Sequence, residues 1–163
     1  MLMALGAHVE AVGGSGLRRI AVDDLFAGYL ETTLAPDEVL TAVVVPRLTS
    51  RTRAGYLKFL PGTEDDYATV SVAAAAELAD GRCTRLRVAL GGAAPTPVRA
   101  RSVEAALTGR PVDRGDIAQA AALVGDDIDP WSDLRGSADY KRTVAAICVR
   151  RLLRRVLLAE EVG

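Results

Sequence analysis

The chain has 163 residues, with 20 Lys+Arg against 21 Asp+Glu, a net charge of −1, half of its residues apolar and a quarter charged. That composition is ordinary for a folded domain and lacks the basic excess of a dedicated nucleic-acid binder. No apolar run reaches the roughly 20 residues that span a bilayer, and Gly6, His8 and Glu10 break the N-terminal apolar stretch too early for a signal peptide, so the cytoplasm is the default location.

Taken in chain order, residues 3–11 and 17–22 read as extended segments joined by a hairpin turn at Gly13-Gly14-Ser15-Gly16. Asp23-Asp24 ahead of Leu25, Phe26 and Tyr29 predict a short capped turn of helix. Residues 38–45 read as a strand ending at Pro46, and the polar stretch 47–53 as a connection between subdomains. Strand patterns follow at 54–60, 68–78 and 83–90. The alanine run after Val72 fits a strand buried on both faces, and Ala79-Asp80-Gly81 closes a hairpin. Helices are predicted at 100–108, 114–124 and 136–159, with Gly109 and Pro111 stopping the first. The last is strongly amphipathic, with Ala145, Cys148, Val149, Leu152, Leu153, Val156 and Leu157 on one face and Arg150, Arg151, Arg154 and Arg155 on the other. The arginine face reads as solvated, its aliphatic stems shielding the core edge. The predicted fold class is α+β, a three-stranded antiparallel sheet under a three-helix layer.

Few residues announce chemistry. Cys83 and Cys148, 65 residues apart, make neither a CxxC motif nor a zinc site and read as small core residues. His8, the one histidine, alternates with apolar neighbours as an exposed strand residue would. The basic residues are 18 Arg and two Lys, Lys58 and Lys141, a compositional bias. Thr63-Glu64-Asp65-Asp66 with Tyr67 is the densest polar cluster. Paired carboxylates there could do acid–base work or hold a metal, but such clusters more commonly cap a solvated turn. Lys58 lies in an otherwise apolar strand, and periodicity alone points it to solvent. The glycine turn 13–16 is followed by a strand pattern, not by the helix that would hold a phosphate. No catalytic residue and no metal site are assigned.

Several spaced segments converge on one family. They are Leu34-Ala35-Pro36-Asp37-Glu38-Val39-Leu40 ahead of Val45-Pro46, Tyr56-Leu57-Lys58-Phe59, and Glu64-Asp65-Asp66-Tyr67-Ala68-Thr69-Val70. Ala89-Leu90-Gly91-Gly92-Ala93-Ala94-Pro95-Thr96-Pro97-Val98-Arg99, Glu104-Ala105-Ala106-Leu107-Thr108-Gly109 and Asp133-Leu134-Arg135-Gly136-Ser137-Ala138-Asp139-Tyr140-Lys141-Arg142 complete the set. In order and spacing they resemble the C-terminal part of the FAD-binding medium subunit of molybdenum hydroxylases, the carbon monoxide dehydrogenase and xanthine dehydrogenase family.

The resemblance implies that residues 1–46 are the tail of an FAD subdomain and that 52–163 form the C-terminal flavoprotein domain. It implies FAD as cofactor, with Leu40 touching the flavin, Lys58 reaching its ring system and Tyr67 packed on an isoalloxazine face. Asp66, the neighbour of Tyr67, is the fourth position carried over. The partners implied are a large subunit with the molybdenum cofactor and a small iron–sulfur subunit. A polypeptide carrying the N-terminal FAD domain is a further one, since the glycine-rich loops for the FAD pyrophosphate lie upstream of Met1. The chain is therefore expected to be a fragment, a truncated frame or half of a split subunit, with an incomplete site and no activity alone. It departs from the family at Pro61-Gly62-Thr63, where many relatives carry an arginine, and at Lys141, a common arginine position. Two alternatives stand beside this reading: a docking module without flavin, and an unrelated enzyme using Glu64-Asp65-Asp66.

Overall fold

The structure, a computed structural model, describes residues 1–60, 62 and 67–160. Asp66 and the Glu64-Asp65 pair lie outside the described residues.

The chain opens on a single turn of helix, α1 (Leu2–Leu5), closed by Gly6 at φ 69°. The alternation that predicted an extended segment from residue 3 begins only at β1 (His8–Gly13), because Met3 and Ala4 turn inward as helix residues. β2 (Gly16–Ala21) returns antiparallel, Gly13 opposite Gly16, with Gly16 at φ 96° making the turn. Val22–Asp24 form a 3-10 turn, so Asp23 and Asp24 lie within the turn and do not cap a helix. Phe26 already belongs to a small hairpin, β3 (Phe26–Gly28) with β4 (Glu31–Thr32). β5 (Val39–Val44) then pairs antiparallel with the free side of β1, giving the order β2-β1-β5. His8 is half-buried, not exposed, and its Nε2 is buried without a partner among the described residues.

The second sheet consists of β6 (Thr52–Phe59), β7 (Val70–Ala79), β8 (Arg82–Gly91) and a two-residue β9 (Val98–Arg99), antiparallel and in that order. The sheet thus has four strands where the sequence pattern showed three. Pro95 and Pro97 end the chain's run, but Val98 and Arg99 past them still reach Leu90 and Ala89. β7 and β8 are joined at Asp80 and Gly81, both at positive φ, the backbone a tight hairpin requires.

Three helices follow: α2 (Arg101–Leu107), α3 (Arg114–Ala122) and α4 (Ala138–Leu158). α4 packs on β7 and β6 and α2 on β8, while α3 rests against α2 and α4. Gly55 lets α4 come close, since a Cβ there would lie 2.9 Å from Leu152 Cδ1. The apolar stripe of α4 is buried along its length, and Cys83 and Cys148 are both core residues. Among the described residues no helix is long and apolar enough to cross a membrane.

β7 explains how the two sheets meet. Val70, Val72, Ala74 and Ala76 face the helices. Ala73, with Ala89 of β8, joins the core of the first sheet, where Val9, Ala11 and Ile20 are buried. The alanine run thus serves both faces, Ala74 and Ala76 under the helices and Ala73 against the first sheet.

A charge network locks the contact. Asp23 accepts from Arg87 Nη2 at 2.7 and 2.8 Å and from Arg99 Nη1 at 2.9 Å. Arg87 also donates to the Met3 carbonyl, and Arg99 to Glu104, whose Oε1 accepts from the Val88 amide at 2.8 Å.

Candidate functional site

On the face of the second sheet turned away from α2, α3 and α4, pairing sets two rows across three strands. Lys58 lies opposite Ser71, and Ser71 opposite Gly91; Tyr56 lies opposite Ala73, and Ala73 opposite Ala89. The N-terminal segment covers the alanines of the second row. Lys58 and Tyr56 remain exposed, and among the described residues the Lys58 ammonium makes no ion pair. Beyond the lysine its row carries only the small residues Ser71 and Gly91. A Cβ on Gly91 would lie 2.9 Å from Ser71 Oγ, so any side chain at 91 would stand up from the floor.

Tyr67 is brought to the same end of the sheet. The Thr69 amide donates to the Phe59 carbonyl at 3.1 Å, which sets the residues before β7 beside the end of β6. Gly92, at φ 73°, lets the chain pass under this junction, for a Cβ there would sit 2.9 Å from the Thr69 carbonyl. The Tyr67 ring is 80% exposed, and the Arg135 guanidinium carbon lies 5.3 Å from its centroid.

Leu40 comes from the other sheet. It pairs with Ala11, and Val43 pairs with Val9, so both share the face that packs toward Ala73 and Ala89. On the edge strand β5 they nevertheless stay 39% and 46% exposed. The turn before Leu40 is anchored at both ends. Glu38 accepts from Arg18 of β2 and from the Ala35 amide, and Asp37 accepts from the Gly14 amide at 3.1 Å. The Arg18 guanidinium and the Ala35 amide hold the Glu38 carboxyl at about 2, far below its ordinary 4.5.

The structure therefore brings Lys58 and Tyr67 to one end of one sheet and puts Leu40 on the sheet that faces it. Two residues were not singled out from sequence. Tyr56 could have been found two positions before Lys58, since strand alternation puts both on one face. No sequence signal marks Arg135, which lies 68 residues beyond Tyr67. Among the described residues, no three His, Cys, Asp or Glu side chains gather as a metal set. Small residues, a cation and an aromatic ring are what a planar, redox-active ring system requires, and the residues present fit a flavin.

Comparison with known proteins decides the family. Residues 55–156 match the CO dehydrogenase flavoprotein C-terminal domain, and residues 1–48 match the FAD binding domain in molybdopterin dehydrogenase. The chain belongs to the CO dehydrogenase flavoprotein C-terminal domain family. It is 32% identical, over 95% of its length and 54% of the relative's, to a carbon monoxide dehydrogenase medium chain of Afipia carboxidovorans. It is 35% identical to a nicotine 6-hydroxylase medium subunit of Paenarthrobacter nicotinovorans, over 94% of this chain and 53% of that one. A carbon monoxide dehydrogenase structure from Hydrogenophaga pseudoflava superposes with a TM-score of 0.92 at 33% identity, covering 96% of this chain and 54% of that chain. The chain thus spans about half the length of the curated relatives it matches.

Proposed function

We propose that these residues form one side of an FAD site in the flavoprotein subunit of a molybdenum hydroxylase. The observation that carries the reading is the row Lys58, Ser71, Gly91: an exposed lysine beside two small residues, with Tyr67 at its end. Bound there, FAD supplies the redox chemistry, while the protein contributes position and charge. Lys58 holds a positive charge where the ring system gains negative charge on reduction. Tyr67 offers an aromatic face, and Leu40 an aliphatic one from the facing sheet. Asp66 adjoins Tyr67 in the chain and belongs to the same proposed set.

In this reading, residues 1–46 are the closing part of an FAD subdomain and 52–163 the C-terminal domain, its helices forming a cover over the sheet. The pyrophosphate is held by the half of the relatives that these residues do not span, so the site is completed only when both halves are present. Electrons arrive from a molybdenum-bearing large subunit through an iron–sulfur small subunit, in the cytoplasm. The relatives' names as medium chains and subunits support such an assembly.

A fluorescence titration with FAD tests the reading. The chain is titrated alone and then with a polypeptide supplying the family's N-terminal half. Saturable quenching with both halves is the expected result. No binding in either case would leave a docking module in its place.

A further inference from the structure

The loop between the second 3-10 turn (Leu123–Asp126) and α4 is fastened from within. Lys141, on the first turn of α4, is only 4% exposed and donates to the Trp131 carbonyl at 2.8 Å and to Asp133 Oδ2 at 2.6 Å. The other oxygen of Asp133 accepts from the Arg135 amide at 2.8 Å. Asp133 and Gly136 exchange backbone hydrogen bonds, each 3.1 Å long. A buried ammonium thus organises a carboxylate, and the carboxylate organises the backbone at Arg135.

From that fixed base the Arg135 side chain crosses to the β6–β7 connection. Its Nε donates to the Tyr67 carbonyl at 3.2 Å, and its guanidinium carbon stands 5.3 Å from the Tyr67 ring centroid. That separation is within the roughly 6 Å over which a cation is held by an aromatic face. One group therefore holds Tyr67 twice, by its backbone and by its ring. Tyr67 as a residue nevertheless remains 80% exposed.

We propose that Arg135 is the positioning residue for Tyr67: it backs one face of the ring so that the opposite face is presented to the flavin. This rests on the flavin-facing reading of Tyr67 given above. An exposed tyrosine before a strand has several rotamers to lose when a ring stacks on it. Fixing one of them in advance lowers the ordering cost and raises affinity. Arginine suits the task because its charge persists at all working pH values and its plane can lie along the ring. Lysine would keep the charge and lose the plane.

The test uses the full chain with ring-labelled tyrosines, as wild type, R135Q, R135K and Y67A, together with the double variant R135Q/Y67A. Ring NMR signals are recorded without flavin, and FAD is titrated with the family's N-terminal half supplied. R135Q is expected to move the Tyr67 ring signals while those of Tyr29 and Tyr56 stay in place, and R135K to restore them in part. R135Q should raise the FAD dissociation constant 3- to 10-fold in the wild-type background and leave it unchanged in Y67A. Unmoved Tyr67 signals in R135Q, or losses that simply add in the double variant, would overturn the proposal. If the wild type fails to bind FAD with both halves present, the flavin reading itself falls. The Tyr67 signals then decide separately whether Arg135 holds the ring.

Discussion

Lys58 and Gly92 show how single positions shape this surface. Lys58→Ala is expected to cost FAD binding about 1–2 kcal/mol, near the lower end of what a hydrogen bond to a charged group contributes. That is roughly a 5- to 30-fold rise in dissociation constant, measured by fluorescence titration of the assembled site. Lys58→Arg should recover part of it, and an unchanged titration would remove Lys58 from the ring system. Gly92→Ala tests the backbone beneath Tyr67. An alanine there combines φ 73° with a Cβ 2.9 Å from a carbonyl oxygen, so a loss of about 1–3 kcal/mol is expected in urea unfolding. Periodicity pointed Lys58 to solvent, where it lies, and only the resemblance gave it a role at the flavin. Arg135 was not legible in the sequence, because a contact between a cation and a ring 68 residues away leaves no trace in local pattern.

At the scale of elements, the contact between the two sheets depends on Asp23. It is shared by two guanidiniums whose side chains are only 18% and 11% exposed, the second also paired with Glu104. Asp23→Asn would leave Arg87 and Arg99, which repel one another, without their shared anion. A loss of about 3 kcal/mol is expected in chemical unfolding, together with faster amide exchange in β1 and α1. Glu77→Gln, which removes a 3.6 Å surface pair with Arg85, should cost less than about 1 kcal/mol. Equal losses in the two variants would show that the network does not join the sheets.

The turn before Leu40 adds a pH dependence. Glu38 has a folded value of about 2, below its ordinary 4.5. It therefore contributes stability that is present above about pH 4.5 and lost as the pH falls toward about 2. Amide exchange at residues 35–40 should rise across that window, and Glu38→Gln should abolish the rise. The extended segments and the three helices could be read from periodicity. α1, the β3–β4 hairpin and β9 could not, because elements of two to four residues are too short to show a period. The positions of α1 and β9 are set by contacts with distant strands.

Over the whole molecule, the alanines of β7 carry the most information. In sequence they fitted a strand buried on both faces. The structure supplies the reason, a helix layer on one side and a second small sheet on the other. That arrangement leaves Lys58 and Tyr56 uncovered beside the covered alanines and sets Leu40 on the facing sheet. The motif segments pointed to the cofactor. The geometry adds which small residues lie beside Lys58, what contacts Tyr67 and what joins the two sheets.

On the proposed reading, these residues are one side of an FAD site completed by the family's N-terminal half. The measurement that tests it most directly is the FAD fluorescence titration with and without that half. Saturable quenching that requires both polypeptides, and that weakens with Lys58→Ala, is the result expected. Saturable binding that Lys58→Ala leaves unchanged, or no binding with both halves present, would contradict it.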